Sequence, residues 1–315
     1  MIDFITVFAL IASIFMGISI GASAVPPAFG PVTSSGSVGI LKSALLAGIA
    51  ACLGAIIQGG RVTATVGSGM IFGEIQTLQA LTILIVASLL VIISVLTKYP
   101  MPTAFTIVGS VIGSAYSFGD GVRWSTIQRI VGYWAAVPIL AVISAYGISW
   151  LLQKHLSKEK SKKPVQYLTL LMGIFVAFTA GANSVGKAVG PLMGMNFQIR
   201  LLLVLGGVSI LVGAWILSPK IIDAVSFEYS NIGPRRSVSA LGTAAILAQI
   251  GVFLGVPISF SQAIIASTIG SGLVVGGSGV GKKKIGMTSA AWISAIFIAI
   301  GLTYLLGNLL QYIAG

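Results

Sequence analysis

Long apolar segments alternate with short polar ones along the whole chain. Eight segments are close to twenty residues long, at positions 1–20, 41–58, 78–96, 129–152, 166–181, 201–217, 240–255 and 287–310. About twenty apolar residues in a helix cross the roughly 30 Å hydrocarbon layer of a bilayer. Hydrophobic residues make up 56% of the chain and charged residues 8%, and the mean hydropathy is +1.05. The pattern predicts an all-α, multi-pass protein of the cell membrane, with the lipid bilayer as its surroundings.

A twelve-residue motif occurs twice, at the end of an apolar segment in each half. Residues 21–32 read GASAVPPAFGPV, which we call the first motif, and residues 181–192 read GANSVGKAVGPL, the second motif. A match of this density indicates a duplicated chain. We therefore divide it into a first transmembrane repeat at 1–152, a basic linker at 153–164 and a second transmembrane repeat at 165–315. If each repeat crosses the membrane an odd number of times, the two repeats have inverted topology.

Each repeat also contains a second interruption, rich in proline. The sequence YPMP at 99–102 precedes a short apolar run at 103–116, and PISFSQ at 257–262 precedes a similar one. Proline removes an amide donor and restricts its predecessor, so these sites break a helix. Runs this short suit re-entrant hairpins, which are tolerated at membrane depth only inside the protein or along a wet cavity. Broken helices in corresponding places of duplicated halves are typical of a secondary transporter.

The positive charge does not point to nucleic acid. The formal net charge is +12, but the basic residues crowd into short loops, mainly the linker and positions 235–236 and 282–284. Such loops are the usual signal of cytoplasmic orientation. The single cysteine, Cys52, lies in an apolar segment, and the single histidine, His155, lies in the linker. We therefore expect no nucleic-acid partner, no disulfide framework, no metal or other cofactor, and no enzymatic activity.

The distribution of polar residues favours an anion as the substrate. Lys187 lies inside the second motif, where a lysine is rare and usually functional, although it could instead reach an interface. None of the six acidic residues lies in either motif. Free amides at half-helix N-termini favour negative charge as well. The predicted anion-binding residues are Ala22, Ser23, Thr103, Asn183, Ser184, Lys187, Ser259, Ser261 and Gln262. The carboxylates in comparable places of the two halves, Glu74 and Glu228, are candidates for coupling, although both also suit a solvated segment end.

The motifs resemble those of the inorganic phosphate transporter family, in its sulfate permease branch. The second motif resembles the family signature GANDVANAxGP, and the first motif is a weaker copy. PMPTAFTIVG at 100–109 is similar to the family segment PVSTTHSIVG, and GGRV at 59–62 also fits. The resemblance implies an inverted-repeat symporter that holds its anion near the midplane. It implies that Thr103, Ser259 and Ser261 are donors at hairpin tips, and that Ser23 and Asn183 belong to broken helices.

The departures from the family pattern bear on substrate and coupling. The family's motif aspartates, which the resemblance assigns to sodium, are Ala24 and Ser184 here, and its later asparagines are Pro27 and Lys187. Phosphate near neutral pH has a proton to donate to a carboxylate, whereas sulfate only accepts hydrogen bonds. We therefore expect sulfate transport, with Lys187 in place of a bound cation and with coupling to protons or none. A sodium- or proton-coupled phosphate symporter and an anion channel remain alternatives, and a homodimer is possible.

Overall fold

A computed structural model of the chain describes residues 4–34, 38–97, 102–155, 162–224, 234–276 and 282–314. The α-helices in these ranges are α1 (Phe4–Ser23), α2 (Gly30–Ser34), α3 (Ile40–Gln58), α4 (Gly60–Ala64), α5 (Thr77–Leu96), α6 (Thr103–Phe118), α7 (Trp124–His155), α8 (Lys162–Val189), α9 (Ile199–Leu217), α10 (Pro219–Ala224), α11 (Pro234–Phe253), α12 (Phe260–Leu273) and α13 (Lys282–Ala314). Short 3-10 helices follow α1 at Pro26–Ala28 and α8 at Gly190–Met195, and a π-helical turn follows α4 at Thr65–Gly69.

The helices confirm the predicted multi-pass architecture. Within the described residues, eight helical segments are long and apolar enough to cross a membrane, four in each half. The helix α6 is apolar but only 16 residues long, and α12 has 14 residues. Both are too short to span the hydrocarbon layer comfortably, as expected for one arm of a re-entrant hairpin. Of the four long segments in each half, one (α5 or α11) is the other arm of that hairpin, so three full crossings remain in each repeat, the odd number that inversion requires.

Helix packing repeats itself between the two halves. The helix α1 packs against α5 and α9, and the corresponding helix α8 packs against α11 and α3. In the same way, α6 packs against α13, while α12 packs against α7. Each short hairpin helix therefore lies against the last long helix of the other repeat, so the two repeats are interlocked.

The two repeats run in opposite directions. In the middle of α1, the hydroxyl of Ser13 donates a 3.0 Å hydrogen bond to the carbonyl of Ala188 at the end of α8. In the middle of α8, Gly173 faces Ala28, which follows the end of α1. A later residue of the first chain segment thus meets an earlier residue of α8, so the two equivalent helices are antiparallel. The chain is thus folded as two inverted-topology repeats, the arrangement common among secondary transporters.

Glycines in both motifs allow the long helices to cross closely. A Cβ atom at Gly21 on α1 would overlap the carbonyl oxygen of Ile210 on α9. At the equivalent crossing, a Cβ at Gly181 on α8 would overlap the carbonyl oxygen of Ala51 on α3. Small residues at helix interfaces let backbones approach in this way, because packing rather than hydrophobicity drives association in lipid.

The start of α6 and the turn before α12, which we call the tips of the first and second hairpins, lie in the protein interior. Gln79 near the start of α5 lies 3.5 Å from the hydroxyl of Ser114 near the end of α6, so these two helices form an antiparallel hairpin. The second hairpin consists of α11 and α12, with its turn at 254–259. The indole of Trp134 on α7 donates to the carbonyl of Pro257 in that turn at 2.9 Å, and its ring packs at a tilt of 40° against Phe105 of the first hairpin. Both hairpins are therefore anchored by buried side chains.

The two motifs differ in where the helix stops. In the first motif α1 ends at Ser23, and Pro26 and Pro27 start the 3-10 turn. In the second motif α8 continues to Val189, and the interruption comes only at the motif's end. The cause is local, since Gly186 and Lys187 stand where the first motif has two prolines and both retain their amide donors. Much of the second motif consequently contributes side chains, and not free backbone amides.

Candidate functional site

Three elements converge at the ammonium group of Lys187. Its side chain is 0% exposed. Its Nζ lies 3.1 Å from the hydroxyl oxygen of Thr103, the first residue of α6, and 3.3 Å from the carbonyl oxygen of Ile258, in the turn before α12. Helix α8 therefore meets the tips of both hairpins, one from each repeat, at this one side chain.

Helix α8 positions the second hairpin through Asn183, one turn before Lys187. The Asn183 amide nitrogen donates to the carbonyl of Val256 at 2.9 Å, and its carbonyl oxygen accepts from the amide of Ile258 at 3.2 Å. The side-chain amide thus bonds to a backbone carbonyl and a backbone amide of the turn, as another segment of backbone would. This arrangement fixes the direction of the Ile258 carbonyl, which faces Lys187.

The same face of α8 has a third polar contact, one turn earlier. The hydroxyl of Thr179 lies 3.0 Å from the side-chain oxygen of Gln249 on α11, and Gln249 donates to Gln58 on α3 at 2.8 Å. Thr179, Asn183 and Lys187 are spaced four residues apart, so they form one stripe along the helix. The stripe holds α8 against the second hairpin from Gln249 on α11 to the turn before α12.

Two helix N-termini face the same point as Lys187. Thr103 begins α6, and Ser259 caps α12 directly after Ile258. The first amides of a helix have no intrahelical partner, and each N-terminus is equivalent to about half a positive charge. Together with one lysine ammonium, the two termini supply about two positive charges. Neither helix has an acidic residue in its first turn to offset them.

Hydroxyl groups add hydrogen-bond donors near the second hairpin. Ser259 accepts from the amide of Gln262 at 3.3 Å, which leaves its own proton free to donate. Ser261 and Gln262 lie in the first turn of α12 and are buried. The hydroxyl of Ser184, three residues before Lys187, is buried and has no hydrogen-bond partner among the described residues. These side chains are polar and buried without a carboxylate beside them.

The predicted residues of the first motif lie differently. Ala22 is buried within α1, and the hydroxyl of Ser23 donates to the carbonyl of Ser19 in its own helix at 2.9 Å. No described hydrogen bond joins either residue to a hairpin tip. The assignment of Ala22 and Ser23 to an anion site therefore stays a prediction.

The candidates for coupling lie away from Lys187 or outside the described residues. Glu74 is exposed in the loop before α5. Glu228 lies outside the described residues. Among the described residues no cluster of three or more histidine, cysteine, aspartate or glutamate side chains could hold a metal ion.

Sequence reasoning missed the backbone groups of the second hairpin. Val256 and Ile258 are apolar residues, and nothing in their side chains shows that their main chain meets Asn183 and Lys187. The proline between them, Pro257, was the available signal, because it fixes an extended turn whose carbonyls are left without helical partners.

Comparisons with known proteins agree with this architecture. The model of the phosphate transporter family matches the chain twice, at residues 20–165 and 154–303. A solved structure described as the sodium-dependent phosphate transporter superposes with a TM-score of 0.90 at 20% sequence identity, covering 99% of this chain and 100% of that one. The likeness to that structure concerns the fold.

Curated relatives match over nearly the full length. The chain is 29% identical to the sulfate permease CysP of Bacillus subtilis, over 96% of this chain and 87% of the relative. It is 24% identical to a putative phosphate permease of Haemophilus influenzae, over 93% of this chain and 94% of the relative. It is also 24% identical to the putative phosphate permease MJ0630 of Methanocaldococcus jannaschii, with 96% of each chain covered. The matches thus include a relative named for sulfate and relatives named for phosphate.

Proposed function

This chain belongs to the phosphate transporter family, and on that premise we propose that it carries inorganic sulfate across the cytoplasmic membrane as a proton-coupled symporter. Membership of the family makes the protein a multi-pass membrane transporter of an inorganic anion and not an enzyme. Our proposal concerns the substrate, the coupling ion and the residues that bind the anion.

The observation that carries the proposal is the surroundings of Lys187. The side chain is fully buried, and its hydrogen-bond partners among the described residues are a hydroxyl and a carbonyl, both uncharged. A buried charge needs a partner of opposite sign, and an intramembrane lysine normally has one. The helices packed against α8 contain no aspartate or glutamate. A bound anion supplies the missing partner.

The amount of positive charge suits a dianion. One ammonium and two helix N-termini supply about two positive charges at one point. An anion with two negative charges balances them, and tetrahedral oxygens reach several donors at once. The proposed ligands are Lys187, the hydroxyls of Thr103, Ser184, Ser259 and Ser261, the side-chain amide of Gln262, and the first backbone amides of α6 and α12.

The absence of carboxylates from the described site favours sulfate over phosphate. Near neutral pH phosphate carries a hydrogen that donates to an acceptor, and a carboxylate is the strongest acceptor a protein offers. Sulfate has no such hydrogen. Ser184 stands where the family signature has an aspartate, and its hydroxyl is available as a donor.

The relatives support both oxyanions. The 29% identity with a protein named a sulfate permease supports sulfate. The second candidate function is phosphate symport, favoured by the family model and by relatives named putative phosphate permeases. The two candidates share one fold and one site, so transport assays are needed to separate them.

The test is uptake of radiolabelled sulfate into proteoliposomes that contain the purified protein, with empty liposomes as the control. A pH gradient, a sodium gradient or no gradient is imposed, and unlabelled phosphate competes in parallel. We expect sulfate uptake that the pH gradient stimulates, that sodium leaves unchanged and that phosphate competes for weakly. Sodium-stimulated phosphate uptake without sulfate uptake would replace sulfate by the second candidate.

A further inference from the structure

The geometry at Lys187 also indicates how a proton is coupled to the anion. In the described residues Nζ has two hydrogen-bond acceptors, the Thr103 hydroxyl at 3.1 Å and the Ile258 carbonyl at 3.3 Å. A neutral amine has two N–H groups, whereas an ammonium has three. The two acceptors therefore satisfy a neutral lysine completely, and they leave an ammonium with one donor free for another ligand.

The charged groups around Lys187 give it no permanent anionic partner. On the elements packed against α8, the titratable or charged side chains are Lys42, Cys52, Arg61, Tyr116, Arg200, Arg235 and Arg236, and α8 itself adds Lys162, Lys163 and Tyr167. None of them is an aspartate or glutamate. Burial removes the side chain from water, so the charged form of Lys187 is costly in an empty site and is stabilised when a dianion arrives.

We propose that Lys187 is the proton carrier of this transporter, which deepens the proposed function and rests on it. On the side of entry, the lone pair of the amine takes a proton from the solution as the anion binds, and a third N–H bond forms toward the anion. On the other side the anion leaves, that N–H bond breaks, and the proton goes to the solution. The neutral amine then returns, held by Thr103 and Ile258.

The proposal fixes the stoichiometry. One proton accompanies each anion, so every turnover with a dianion moves one net negative charge. Transport is therefore electrogenic, and an imposed positive potential on the receiving side accelerates it. A pH gradient and a membrane potential of the appropriate sign therefore both drive the joint movement of the proton and the anion.

The first test measures protons directly. Purified protein in weakly buffered solution with a pH indicator is mixed with sulfate, which does not itself titrate near neutral pH. We expect about one proton taken up per bound sulfate above the pH at which the lysine loses its proton, and a sulfate affinity that falls about tenfold per pH unit there. Sulfate binding without proton uptake, and with constant affinity from about pH 6 to about pH 10, overturns the proposal.

The second test uses a side chain that cannot release its proton. Arginine stays charged throughout the accessible pH range. The variant Lys187→Arg should bind sulfate without proton uptake and should exchange internal for external sulfate, while uptake driven by a pH gradient is lost. Lys163→Arg, the same change at an exposed position of α8, is the matched control and should behave as the unaltered protein.

A third variant covers the case in which the larger guanidinium does not fit the buried position. Lys187→Gln retains a hydrogen-bond donor without a titratable group, and we expect at least tenfold weaker sulfate binding and no proton uptake. Proton uptake that persists in either variant assigns the carrier elsewhere and overturns the inference. If the unaltered protein binds no sulfate at any pH, the proposed substrate fails, which is a separate outcome.

Discussion

The two copies of the duplicated motif have diverged in opposite directions. In the first motif Pro26 and Pro27 end the helix, and its Ser23 bonds only within α1. In the second motif Gly186 and Lys187 occupy the equivalent positions, the helix continues, and Asn183 and Lys187 reach the hairpin tips. One copy supplies a turn of backbone, and the other supplies side chains.

The packing between the repeats has not diverged. Gly21 and Gly181 are at equivalent crossings, and each brings its helix against a backbone carbonyl of the other repeat. Ser110 and Ser267 are likewise at equivalent places on α6 and α12, and both hydroxyls are buried without a described partner. The helix crossings are thus alike in both repeats, whereas a buried lysine occurs in the second motif only. The packing of the fold and the composition of the candidate site have therefore diverged independently.

The largest expected effect comes from placing a carboxylate in each motif. Ala24 and Ser184 are equivalent and buried, but only Ser184 has a lysine three residues later on the same helix face. Ser13 contacts Ala188, and Gly173 contacts Ala28, so these two pairs show which residues of the first chain segment lie beside which residues of α8. By interpolation between them, residue 24 lies beside a point of α8 about ten residues, or about 15 Å, from Lys187. Ala24→Asp should therefore leave an unpaired buried charge and destabilise the protein by about 3 to 5 kcal/mol.

Ser184→Asp is the matched variant. Its carboxylate pairs with Lys187, so the fold should be retained while sulfate binding falls at least tenfold, because the internal anion occupies the ammonium. Thermal unfolding in detergent and equilibrium binding of labelled sulfate check the two effects. Equal unfolding temperatures for the two variants would show that Lys187 does not stabilise a carboxylate at position 184.

A smaller effect is expected from removing the amide of Asn183. Asn183→Ala leaves the Val256 carbonyl and the Ile258 amide without their partner, and a buried unsatisfied group costs about 1 to 3 kcal/mol. We expect about 2 to 4 kcal/mol of destabilisation and weaker sulfate binding, because the hairpin tip is no longer fixed. Ser23→Ala, at the equivalent position, removes only one hydrogen bond within α1 and should destabilise the protein by about 0.5 to 1 kcal/mol. Similar losses for both would mean that Asn183 does not hold the hairpin.

The sequence predicted the fold well because its signals are periodic and strong. Apolar runs, the duplicated motif and the paired prolines lead directly to two repeats with re-entrant hairpins, and α6 and α12 begin at equivalent positions after their breaks. Lys187 drew attention in the sequence, because a lysine inside an apolar motif is unusual. Thr103 was assigned to the site by the resemblance, and their contact, between residues 84 positions apart, was not predicted.

The rest of the site depends on the course of the backbone, which could not be predicted from the types of side chain. The second motif was expected to be interrupted at membrane depth, yet α8 runs through it to Val189, since glycine and lysine tolerate a helix that two prolines do not. Asn183 was predicted to bind the anion, and the pairing of its amide with Val256 and Ile258 of the hairpin turn was not predicted. Whether it also contacts the anion stays a prediction.

The smallest effect concerns the one described hydrogen bond between α8 and the first hairpin. Thr103→Val keeps the shape of the side chain but removes the acceptor, so Lys187 retains only the Ile258 carbonyl. We expect a loss of about 1 to 2 kcal/mol in sulfate binding, or about 5- to 30-fold in affinity. Thr106→Val is the matched control, because its hydroxyl donates to the Thr103 carbonyl within α6, at 2.9 Å. If both variants bind sulfate as the unaltered protein does, the first hairpin contributes no side chain to the anion, and the site belongs to the second motif and the second hairpin alone.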